Sequence, residues 1–249
     1  MVELLSVDLQ HEFASPGGGL YRPRGCVPCL TEIVFPAARM RGWRVHEIVS
    51  DYRDPARPAT QWHCAPGRWA AESLVPRDLL ASQPWVKATP SPAWIRSGAG
   101  DERAEPGPAE PDPHGFTEWL IQAIGRPDPE RTVVVVGLML GVCVLSTLQE
   151  LSFRGYRPSV LLEGVDTYSG DQAEKQQLAS ALFPFWGTPI HWPPLDACVA
   201  PSESSRDIPR GPVTDPLMSE TRLPGGGAAP SGPRAPNLVY DTTRGIGLW

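Results

Sequence analysis

The sequence predicts an α/β fold: a doubly wound, mostly parallel sheet of about six strands with helices on both faces, a Rossmann-like three-layer sandwich. Three observations carry this. Residues 132–136, Thr-Val-Val-Val-Val, are a β-branched run without polar alternation, as expected of a strand buried on both faces. A second apolar run, residues 3–7, opens the chain and stops on Asp8. Between and after these, short strand-like segments alternate with helical ones, which favours parallel pairing through crossover helices.

The chain of 249 residues can bury one substantial core, with a tail or small insertion left over. A net charge of −6 argues against nucleic acid or an anionic membrane as partner. No apolar run reaches the length of a membrane span. Glu3 and Asp8 interrupt the order a signal peptide needs, so a cytoplasmic location is expected. Five cysteines, an odd number, suggest free thiols rather than a disulfide framework.

In chain order, the strand at 3–8 is followed by Gln10 and Phe13, then by a Gly-rich connector at 14–24 that lacks phosphate-loop spacing. Cys26 and Cys29 form a Cys-x-x-Cys pair with no second pair to complete a zinc site, so it is read as part of a helix start. That helix is expected over 30–41, with Ile33, Val34, Ala37 and Met40 as its apolar stripe and Gly42 as its stop. Residues 43–50 read as a second strand ending at Asp51, and 84–88, PWVKA, as a third that delivers Lys87. Residues 97–113 are poor in apolar side chains and dense in Gly, Pro, Asp and Glu, which predicts a mobile insertion. A helix at 114–124 leads into the central strand.

After that strand, Val144, Leu148 and Leu151 fall at helical spacing, and Gly155 closes the segment. A further strand spans 157–164. A helix follows at 170–185, with Leu178, Ala181 and Leu182 as its stripe, and a last edge strand is expected near Ile190. The domain is placed at 1–200. The Pro/Gly-rich stretch 201–249 is expected to be disordered or to pack on a neighbouring subunit.

Cys143 sits just past the carboxyl end of the central strand, at the first turn of a helix, where the helix dipole and unpaired N–H groups favour a thiolate. Asp8 and Lys87 lie at the carboxyl ends of two other strands, and in a doubly wound sheet such ends converge on one crevice. The set is chemically coherent. A carboxylate takes and returns the cysteine proton, an ammonium holds developing charge, and helix-start amides hold an oxyanion.

The stretches LLSVDLQHEF, HCAPG with WAAESLVP, PWVKATPS and VVVVGLMLGVCVLSTLQELSFRGYRPSVLLEGVDTYS resemble the isochorismatase-like cysteine hydrolases, over roughly residues 3–170. This family includes nicotinamidases and N-carbamoylsarcosine amidohydrolases. The resemblance implies a catalytic Asp8, Lys87 and Cys143, a cis peptide at Leu138-Met139, and an oxyanion hole from the amides of Met139 and Cys143. The substrate pocket is assigned to Gln10, Phe13, Trp94, Leu138 and Leu140, and the departures from the family suggest that it is altered and more apolar, with Phe13, Trp94 and Leu140 in its lining. The chain departs from the family at Leu140 and Gly141, where the family's usual residues are polar. It departs again at Asp51-Tyr52-Arg53, where nicotinamidases carry Asp-x-His for a divalent metal.

No metal and no cofactor are therefore expected, and a dinucleotide is unsupported because no GxGxxG follows the first strand. The expected activity is metal-independent hydrolysis of an amide, carbamoyl or ureido C–N bond of a small molecule through a Cys143 thioester. Acyl transfer from the same thioester, and a non-catalytic binding protein of this fold, are the alternatives. A homodimer or tetramer is the expected assembly.

Overall fold

The computed structural model describes residues 2–192. The stretch 201–249 lies outside them. Eight strands are described: β1 (Val2–Val7), β2 (Arg44–Ser50), β3 (Trp85–Lys87), β4 (Trp94–Arg96), β5 (Ala109–Pro111), β6 (Thr132–Leu138), β7 (Pro158–Asp166) and β8 (Thr188–Ile190). Six of them form one sheet in the order β3-β2-β1-β6-β7-β8, with every neighbouring pair parallel. The chain winds outward from β1 to β3, returns to β6 beside β1, and winds the other way to β8. The reversal falls between β1 and β6, so their carboxyl ends frame the crevice where ligands bind in such sheets.

Period-2 alternation explains the layers. Leu4, Val45, Val134, Val136 and Leu161 face one side, where Leu30, Val34, Phe35 and Ala38 of the helix at 26–41 cover them. Leu5, Ile48, Val133, Val135 and Val160 face the other side. There they meet Phe116, Leu120 and Ile124 of helix Pro113–Ile124 and Leu148 and Leu151 of helix Leu145–Phe153. Burial on both faces is why the strands read as continuous apolar runs.

The first helix differs from its expected bounds and face. It starts at Cys26, whose backbone N–H donates to Asp166 Oδ2 at 2.9 Å, and it contains a wide π turn over Cys29–Val34 before Phe35–Arg41. The extra residue of that turn rotates the packing face. Leu30, Val34 and Phe35 are fully buried, while Ile33 and Met40 are exposed at 47% and 79%. Gly42 stops the helix with φ 64°, as expected. Cys26 and Cys29 are free thiols.

Helix Gln172–Trp186 begins as expected, with Asp171 accepting from the Glu174 amide at 2.8 Å. Its stripe differs: Phe183 is the buried residue, Leu178 and Leu182 pack partly, and Ala181 is exposed. This helix lies against helix Leu145–Phe153 and the three-residue β8, so it has little sheet to cover.

The 97–113 segment is tied down rather than loose. β5 pairs antiparallel with β4. The buried Arg53 guanidinium donates to Gly98 O at 2.7 Å and Ala104 O at 2.8 Å, and the Gly100 amide donates to Asp51 Oδ2 at 3.1 Å. Ionic and backbone hydrogen bonds here replace the apolar anchors that the segment lacks. Among the described residues, no helix is long and apolar enough to cross a membrane.

Candidate active site

Asp8 follows β1 with φ 50°, a left-handed conformation that Asp tolerates better than most residues. Its amide still reaches Ile48 O of β2 at 2.9 Å, so the strand ends by turning its carboxylate across the sheet edge. Next to it, β6 carries an irregularity at Gly137, where φ is 109° and a Cβ would lie 2.1 Å from Val7 O. Only glycine fits so close to a neighbouring backbone. The bend leads into a cis peptide between Leu138 and Met139 and then a wide turn over Leu140–Val144. The Val142 and Val144 amides both donate to Met139 O, at 2.9 and 3.1 Å. Cys143 thus stands in the first turn of a helix that runs on to Phe153.

The three strand-tip residues converge. Lys87 Nζ lies 2.8 Å from Asp8 Oδ2 and 3.5 Å from Cys143 Sγ, and all three residues are at most 2% exposed. Ser50 Oγ donates to Asp8 Oδ1 at 2.8 Å and accepts from Lys87 Nζ at 2.7 Å. Asp8 Oδ2 meets Lys87 as an ion pair at 2.8 Å, and the carboxylate also lies within hydrogen-bond reach of the Cys143 thiol. Tyr52 places its hydroxyl 2.7 Å from Lys87 Nζ and 3.4 Å from Cys143 Sγ. Ser50 and Tyr52 were not singled out from the sequence. The only signal was their position flanking Asp51 at the tip of the strand beside β1.

The electrostatics correct one expectation. The Cys143 thiol is pushed up to about 12: burial dominates, Lys87 opposes it, Asp8 adds to it, and the Tyr52 hydrogen bond opposes it. At rest the residue is therefore a neutral thiol rather than the thiolate expected at a helix start. Desolvation of a fully enclosed sulfur outweighs the helix terminus. Lys87 is held above its usual value because Asp8 and Cys143 outweigh the desolvation that opposes them.

The expected pocket residues divide. Phe13 is buried with its ring edge-on to Tyr52, centroids 6.4 Å apart, so it borders the site. Gln10 instead staples β1 to the tip of β2. Its Nε2 donates to Ser50 O and Ala71 O, both at 3.0 Å, and its Oε1 accepts from the Ser50 amide at 2.8 Å. Leu138 and Leu140 are fully buried, one in each core layer, and Trp94 is 40% exposed on β4. A cavity of about 560 Å³ opens beside the site, with Gln10, Ser50, Asp51 and Cys64 in its wall. Ser50 is shared by both, but Cys143 and Lys87 do not line the cavity. Arg24, also unforeseen, is buried and donates to Phe13 O, Thr167 O and Tyr168 O, tying the loops around Met139, whose Sδ lies 3.7 Å away.

The residues present do not fit a divalent metal. Arg53 grips both Asp51 oxygens, with Nη2 2.7 Å from Oδ2 and Nε 2.9 Å from Oδ1. His63 Nδ1 lies 2.6 Å from Glu12 Oε1. Among the described residues, no group of three His, Cys, Asp or Glu is arranged to hold a metal ion.

A parallel α/β sheet with a buried Asp-Lys-Cys set at its switch point defines a class, and solved structures give that class its fold name. No family model matches the sequence, and no curated protein does. An isochorismatase family protein from Desulfovibrio vulgaris aligns at TM-score 0.56 and 18% identity, over 80% of this chain and 98% of its own. The yeast nicotinamidase aligns at TM-score 0.54 and 18% identity, over 76% and 99%. Pyrazinamidase of Pyrococcus horikoshii, solved in complex with zinc, aligns at 0.53 and 19%, over 77% and 99%. The chain has the isochorismatase-like hydrolase fold.

Proposed function

We propose that this protein is a cysteine amidohydrolase that cleaves an amide, carbamoyl or ureido C–N bond of a small molecule without a metal. The observation that supports it most is the convergence of Asp8 from the end of β1, Lys87 from β3 and Cys143 from the turn after β6, within 2.8 to 3.5 Å contacts of Lys87 Nζ. The amidase names of the structural neighbours agree with it.

In this mechanism Asp8 takes the Sγ proton as the thiol meets the substrate carbonyl, and a C–S bond forms. The amides of Met139 and Cys143 hold the oxyanion. Collapse breaks the C–N bond, and Asp8 returns its proton to the leaving amine. A water deprotonated by Asp8 then attacks the thioester, releasing the acid and restoring the thiol. A base beside a thiol raised to about 12 accounts for a resting state without free thiolate. Lys87 stays cationic and balances the charge as it moves from carboxylate to sulfur.

The test is mass spectrometry of the protein mixed with a panel of amides, carbamates and ureas. A substrate leaves an acyl mass on the Cys143 peptide, and Cys143→Ser abolishes both adduct and turnover. Undiminished turnover by Cys143→Ser would sink the proposal.

A further inference from the structure

Tyr52 is used by none of the steps above, yet its hydroxyl touches two of the three reacting groups. Lys87 Nζ, whose charge leaves it only donors, lies 2.7 Å from the phenolic oxygen and so donates to it. That contact directs the phenolic hydrogen away from Lys87, towards Cys143 Sγ, which stands 3.4 Å from the same oxygen, a normal separation for an O–H···S hydrogen bond, with the Ser50 hydroxyl as the other partner in reach. We infer that Tyr52 is a fourth catalytic residue, one whose hydroxyl donates to Cys143 Sγ and stabilises the thiolate formed when Asp8 takes the proton. This rests on the nucleophile reading proposed above and deepens it.

The placement follows from the fold. Tyr52 lies two residues past the end of β2, and its amide donates to His63 O at 3.1 Å, which holds the turn against the HCAPG loop. Its ring packs edge-on to Phe13. Asp8 from β1, Lys87 from β3 and Cys64 from the loop are the titratable groups around the thiol. Of these, only Lys87 can also donate to sulfur as a cation, and at 3.5 Å it leaves room for a second donor. The pair would divide the work. Lys87 supplies charge to both Asp8 and sulfur, while the phenol supplies a directed hydrogen bond and passes on the polarisation of the ammonium.

The experiment is peptide-resolved alkylation of the full chain by iodoacetamide from pH 6 to 10.5, comparing wild type with Tyr52→Phe. The substitution keeps the ring that packs on Phe13 and removes one hydroxyl. Peptide resolution separates Cys143 from Cys64. Loss of the donor is expected to slow Cys143 alkylation roughly tenfold at every pH in this range, where the thiolate is the minor form, since hydrogen bonds to charged groups are the strong ones. Cys64 serves as the folding control, with unchanged protection. Tyr52→Phe alkylated as fast as wild type, or faster, overturns the inference and makes Tyr52 a steric cover instead. Where wild-type Cys143 alkylates too slowly to compare, the rate of acyl-adduct formation with the panel substrate is read instead: an unchanged Tyr52→Phe rate overturns this inference, and no adduct on the wild type overturns the nucleophile reading.

Discussion

Two buried carboxylates sit at opposite ends of β1, and their surroundings are nearly matched. Glu3, fully buried at the amino end, accepts from His46 on β2 at 3.0 Å; its other oxygen is flanked by Arg44 and Arg131 at 3.5 and 3.7 Å and has no hydrogen bond. Asp8, at the carboxyl end, accepts from Ser50 on β2 and faces Lys87 with an oxygen that likewise lacks a hydrogen bond. Burial, a cationic partner and an orphaned oxygen are thus shared. The difference is what lies one step further. His46 leads on to Ser82, a closed end at 2.8 Å, whereas Lys87 leads to Tyr52 and Cys143. A buried ion pair alone does not mark a site; the one at Asp8 is set apart by the cysteine it borders at the strand-order reversal, and the proposed function rests on that.

The largest effect that can break this contrast is on turnover. Asp8→Asn keeps shape and hydrogen bonding to Ser50 but removes the base, and kcat is expected to fall by about 10² to 10⁴ on whatever substrate the panel identifies. A loss below tenfold would place Asp8 with Glu3, as structure only. Glu3→Gln should do the opposite: it leaves two part-exposed arginines beside a neutral amide and costs about 1 kcal/mol in denaturant unfolding, with kcat unchanged. A drop in kcat without loss of stability would erase the distinction.

A third buried acid sharpens it from the side of charge. Glu47 on β2 accepts from Ser73 and has no cationic partner among the described residues, and burial raises its carboxyl to about 7. Its folded value lies above its unfolded one, so its stabilising contribution is complete below about pH 4.5 and is lost as pH rises toward 7. The loss amounts to at most about 3 kcal/mol, and Glu47→Gln should remove that slope from a plot of unfolding free energy against pH. An unchanged slope would show that the acid is paired in a way the geometry does not suggest.

Much of the fold was legible because it rests on one-dimensional signals. The valine run at 132–136, the strand tips at Asp8 and Lys87, and the glycines at 42 and 155 each state their role locally. Ile33 and Met40 were misplaced because a π turn shifts the helical phase, and nothing in residues 29–34 advertises the extra residue. In the candidate site, the proximity of Asp8, Lys87 and Cys143 was legible because all three fall at or just past strand ends. The contacts of Tyr52, Ser50 and Arg24 were not, since they exist only once β2 lies beside β1 and the loops close over Met139. The protonation of Cys143 was also out of reach. A sequence shows a helix start, but the enclosure that raises the thiol is a property of three dimensions.

The buried Lys87–Asp8 pair has a further consequence, in the reach of its field. One ammonium and one carboxylate, 2.8 Å apart, cancel at a distance, and moving a proton from sulfur to Asp8 merely relocates the negative end of the same dipole. The centre is neutral before and after activation, so it casts little potential into solvent and has no charge with which to draw substrates in. A site of this kind suits uncharged amides and ureas that arrive by diffusion alone. Its kcat/KM on a charged amide should vary little as ionic strength rises from 10 to 500 mM, where an electrostatically steered enzyme would slow.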